Sequence, residues 1–72
     1  MRWLFLSSQE FIKTMEYIIQ AMREKGYDPY QQLRGYLLDN EPGYITRHKD
    51  ARTLIQTLDK ELIKQYLAQY EK

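Results

Sequence analysis

The sequence predicts an all-α fold: a small bundle of three to four short helices that assembles as a homodimer. Three observations carry this. Apolar residues recur at helical spacings of three and four over most of the chain. Strong helix start and stop signals bracket two of those stretches. Strand signals are missing, save that RWLFL, residues 2–6, could extend as a short hydrophobic arm. The dimer is an inference from size. A 72-residue chain without cysteine buries only about 60% of the surface its unfolded form exposes and has no disulfide to compensate. Seven tyrosines in a chain that is 14% aromatic exceed what so small a core needs, and such side chains often cover interfaces.

The first helix is expected to start at SSQE, where Ser7 and Glu10 have the spacing of a capping box. Phe11, Ile12, Met15, Ile18, Ile19 and Met22 form its apolar face, and Gly26 is placed to stop it. The second opens with Asp28 as N-cap and Pro29 as first helical residue, with Gln31 completing another capping box. Leu33, Tyr36 and Leu37 form its face. Gly35 inside it costs about 1 kcal/mol relative to alanine, which predicts the close approach of another backbone. Gly35, Tyr36, Leu37 and Tyr44 are therefore the candidate dimer interface. DNEPGY is a turn, with Pro42 and Gly43 as breakers. From Thr46 onward no glycine or proline remains, and the helical spacing from Ala51 to Tyr70 fits one helix, or two with Asp59 capping the second.

Composition bounds the function. The chain reads as one domain, residues 1–72. A net charge of +1 gives no general attraction to nucleic acid or anionic membrane. The apolar WLFL, residues 3–6, is too short to span a bilayer and lacks the features of a signal peptide, so a cytoplasmic protein is expected. A single histidine with no cysteine cannot build a zinc site, and no cofactor motif is present.

The residues most suggestive of function are Arg47, His48, Lys49, Asp50 and Arg52. Four cations and one carboxylate crowd what should be a helix start, against the usual preference of the helix dipole. On a helix, Lys49 and Arg52 are three apart, and His48 and Arg52 four apart, so they would share a face. Asp50 can pair with one arginine but cannot neutralise all of them. The arrangement makes a corner suited to a carboxylate or phosphate, although a solvated charged face accounts for the same residues. His48 beside Asp50 has the look of an acid–base pair, but no nucleophile or phosphate loop accompanies it, so no enzyme is expected. Glu10, Glu16 and Glu24 read as the solvated side of the first helix. A helix-turn-helix, as in a nucleic-acid-binding or antitoxin-like module, is the alternative; DARTLIQTLDKEL offers its recognition helix few base-reading side chains.

Residues 24–55, EKGYDPYQQLRGYLLDNEPGYITRHKDARTLI, resemble the central signature of the IreB (ReoM-like) family of regulatory phosphoproteins of Gram-positive bacteria, with GYLL and RHKDAR its most specific blocks. The resemblance implies a small helical cytoplasmic homodimer without catalytic activity or cofactor. It implies control of peptidoglycan synthesis through Clp-protease machinery or a cell-wall precursor enzyme. Arg47 and Arg52 stand where the family's arginines matter for that control. Members are phosphorylated on an N-terminal threonine by a membrane Ser/Thr kinase with PASTA domains. Here the chain begins MRWLFLSSQEF, without such a threonine; Thr14 in FIKTMEY has a similar context but falls inside the first helix. A divergent paralogue with the switch lost or moved is expected. Gln56 stands where members often carry a further arginine.

Overall fold

The computed structural model describes residues 2–70, with side chains described over residues 9–69. Helix α1 spans Arg2–Glu24. It starts five residues before Ser7, so the expected capping box lies in the helix interior, and residues 2–6 are helical rather than an extended arm. The reason is cooperative. Nothing in RWLFLSS breaks a helix, and extending a formed helix requires no new nucleus. Met15, Ile18, Ala21 and Met22 are fully buried along one face and Ile19 nearly so. Phe11 packs edge-on against Tyr66 at 6.0 Å, whereas Ile12 is 43% exposed.

The end of α1 follows its sequence signal. Gly26 takes φ +81°, Tyr27 N–H donates to the Met22 carbonyl at 3.0 Å, and Gly26 N–H donates to that of Arg23 at 2.9 Å. These two bonds are the Schellman pattern, which satisfies carbonyls that the last turn leaves free. Helix α2, Pro29–Asp39, opens on the expected Asp28 and Pro29, the Asp28 side chain accepting the Tyr30 N–H at 3.0 Å, but among the described residues no bond from Gln31 completes the expected capping box. It ends on Asn40 in the left-handed region, whose N–H donates to the Tyr36 carbonyl. Leu33 and Tyr36 are buried.

After Asn40 the chain makes a 3₁₀ turn at Pro42–Tyr44, drives Ile45 into the core with no exposure, and makes a second 3₁₀ turn at His48–Asp50. Helix α3, Ala51–Ile55, follows, then helix α4, Lys60–Tyr70. The segment after Thr46 is thus two helices. Asp59 supplies the break, its carboxylate accepting the Glu61 N–H at 2.7 Å and its carbonyl the Ile63 N–H at 3.1 Å.

Every described element is helical. Helix α1 packs against α2 and α3, and α2 also packs against α4. The core gathers Met15, Ile18, Met22, Leu33, Ile45, Ile55 and Ile63, all fully buried. Lys60 joins the start of α4 to the end of α2: its ammonium bonds the Asn40 side chain and lies 5.3 Å from the Tyr36 ring centre.

Candidate functional site: a basic corner divided among three partners

The helical face expected for the four cations does not form. Helix α3 starts only at Ala51, and Lys49 and Asp50 sit at φ 55° and 64°. Two successive residues in the left-handed region break the three-and-four spacing on which face-sharing rests. The dipole question dissolves with it, because Arg47, His48 and Lys49 precede α3. The four basic residues fall into three environments.

His48 and Lys49 turn toward the end of α1. The His48 ring nitrogen Nε2 lies 2.8 Å from Glu24 Oε1, and Lys49 Nζ lies 3.1 Å from both carboxylate oxygens. The hydrogen bond from His48, then that from Lys49, holds the Glu24 carboxyl below the usual carboxylate range. Glu24, expected to be a solvated residue of α1, is therefore the counter-ion of the corner. Its separation of 24 residues from His48 hides that role in a linear reading. His48 pairs with Glu24 and not with Asp50, so the acid–base pair considered above does not form.

Arg52 faces its own backbone. Its Nε–H donates to the Ile45 carbonyl at 2.9 Å, and an Nη2–H lies 3.4 Å from that of Gly43. The side chain is half-buried and clasps the connection between α2 and α3. Asp50 is exposed, and among the described residues no ion pair joins it to either arginine. The pairing of Asp50 with one arginine does not form, and Arg52 makes carbonyl contacts in its place. The reason is geometric: a residue at φ 64° one step before the helix does not present its side chain along the helix face.

Arg47 remains. It is exposed and makes no side-chain hydrogen bond or ion pair with the described residues. It borders an open groove of about 340 Å³ that Tyr27, Gln32, Thr46 and Arg52 also line. The groove wall is fixed: Gln32 accepts the Thr46 N–H at 3.1 Å, and Thr46 Oγ1 accepts the His48 N–H at 3.2 Å. Chemically the corner can accept a carboxylate or phosphate, with Arg47 as the unengaged donor and His48 and Lys49 already bearing a carboxylate.

The candidate dimer residues separate as well. Tyr36 is 3% exposed, packed in its own chain's core, and burial raises its hydroxyl pKa. Leu37 is half-buried beside an open groove shared with Leu38, Leu67 and Ala68. The close approach at Gly35 exists, but the approaching group is a side chain of the same molecule. A Cβ there would meet Tyr44 Cδ1 at 2.7 Å. The Tyr44 hydroxyl donates to Asp39 at 2.5 Å, a bond that raises its pKa and holds the ring over the glycine. Leu38, 77% exposed, is the more available apolar surface on α2; it lies five residues after Leu33 and one after Leu37, off the spacing of the buried face.

No described helix is long and apolar enough to cross a membrane. The family described as IreB regulatory phosphoprotein matches residues 5–72.

Proposed function

The chain belongs to the IreB family of regulatory phosphoproteins, and from that premise we propose that it is a non-enzymatic adaptor acting through protein–protein contacts at the Arg47 corner. The regulated process is peptidoglycan synthesis, through turnover of a precursor-committing enzyme by Clp-type proteolysis. The working unit is a cytoplasmic homodimer. The observation that carries the reading is the state of Arg47: an exposed arginine beside a polar groove, while every neighbouring cation is engaged. An interface arginine of this kind can contribute 2 kcal/mol or more to binding. Its removal from a free surface changes stability by no more than about 0.5 kcal/mol.

The geometry speaks against a DNA-reading module. Helix α3 has five residues, Ala51–Ile55, and Arg52 is turned to backbone carbonyls. A recognition helix needs several side chains directed outward to base edges.

The test compares bacteria carrying the wild-type chain, Arg47→Ala or no copy, following the half-life of the precursor-committing enzyme. Arg47→Ala is expected to match the strain without a copy, while the purified variant keeps its melting midpoint. Equal half-lives in the wild-type strain and the strain without a copy would remove the proposed function.

A further inference from the structure

Glu24 occupies an unusual place. It is the last residue of α1, where the helix dipole disfavours a carboxylate. Its side chain stays one-third exposed, and the two cations it engages are also partly exposed. The turn that presents them holds Lys49 and Asp50 in a backbone conformation that side-chain-bearing residues seldom adopt. Solvated ion pairs of this kind contribute little to stability, and here they sit against local backbone strain. The contact is therefore readily exchanged.

We propose that Glu24 is an internal competitor for the corner, a stand-in for the carboxylate of an acidic peptide segment on the partner. This rests on the adaptor reading above and adds the partner's chemistry and a built-in restraint. In the free protein the acidic segment meets Arg47 alone. When its carboxylate displaces Glu24, His48 and Lys49, which follow Arg47 in the chain, are released to it, while Arg47 borders the groove lined by Tyr27, Gln32 and Thr46. Electrostatic recognition is then conditional. A single acidic side chain gains little, whereas a segment with several carboxylates can hold Arg47 and compete with Glu24 together.

The probe is a fluorescein-labelled hexaglutamate peptide, titrated by anisotropy at low ionic strength into the full chain, with inorganic phosphate as a separate arm. Glu24→Gln is expected to bind the peptide about three- to tenfold more tightly than wild type. Adding Lys49→Ala should remove that gain, and Arg47→Ala should weaken binding in both backgrounds. In the wild-type protein, the ¹³C signal of the Glu24 carboxyl should move as the peptide saturates, a readout independent of how the variants fold. If Arg47→Ala weakens binding but Glu24→Gln leaves it unchanged and the carboxyl signal stays in place, the internal competitor is refuted and the adaptor reading survives. Absence of peptide binding in every variant would overturn both. Displacement of Glu24 by phosphate alone, with no effect of the peptide, would refute the carboxylate partner.

Discussion

Residues 22–29 and residues 41–51 both carry the chain from one helix to the next, and they are held by different means. The first connection is closed by its own backbone and its nearest side chain: Gly26 at positive φ, two bonds to the carbonyls of Met22 and Arg23, and the Asp28 cap. The second has local bonds too, in its two 3₁₀ turns and from Thr46 Oγ1 to the His48 N–H, but is also held from a distance. Gln32 on α2 holds Thr46, Arg52 on α3 holds Ile45 and Gly43, Glu24 on α1 holds His48 and Lys49, and the Ile45 side chain is buried in the core. The first connection is closed with one side chain, the Asp28 cap, whereas the second engages three basic side chains, His48, Lys49 and Arg52, in contacts between segments. That explains why the four basic residues within positions 47–52 have such unequal freedom.

The largest test of this contrast is Ile45→Ala. A fully buried isoleucine truncated to alanine costs about 2–5 kcal/mol, and its loss should loosen the whole 41–51 connection. Urea unfolding would show a lowered midpoint, and amide exchange should accelerate there more than at residues 22–29. A loss below about 1 kcal/mol would mean that Ile45 does not anchor the turn.

Arg52→Ala should have a smaller effect, about 1–2 kcal/mol, as expected for charge-assisted bonds to half-buried carbonyls, compared with a negligible change for Arg47→Ala. Arg52→Lys should recover little, because an ammonium lacks the forked donor geometry. Equal stabilities for the two alanine variants would erase the distinction between a clasp and a free arginine.

The smallest expected effect is the pH dependence of the Glu24 contact. Its carboxyl pKa is lowered in the folded chain, so the unfolded chain binds more protons in that range. The contribution to stability is then complete above the ordinary glutamate pKa of about 4.3 and is lost as pH falls through the lower folded value. The difference in melting midpoint between wild type and Glu24→Gln should be greatest near neutral pH and shrink below about pH 4. A difference independent of pH would show that Glu24 acts through packing and not through charge.

Much of the fold was legible because its signals are local. Gly26, Asp28 with Pro29, and the spacing from Met15 to Met22 each act within a turn or two of themselves, so their physics is written in adjacent residues. RHKDAR marked the corner for the same reason, as composition without geometry. What a short window cannot contain is which of several equally plausible partners a side chain finds. Ser7 with Glu10 satisfied a local rule, yet the helix continued through it to Arg2. The run after Thr46 has no breaker, yet Lys49 and Asp50 leave the helical region while Glu24 holds their turn. Gly35 called for a close neighbour, and only the folded chain decided that it was Tyr44. Sequence by itself determined the all-helical class, the turn between α1 and α2 with its Gly26 stop and Asp28 cap, and the presence of a cationic block. The tertiary structure decided how those cations are divided, because that depends on contacts between residues 7 to 25 positions apart. Such contacts arise only when burial of Ile45, Ala51 and Ile55 against α1 brings the segments together.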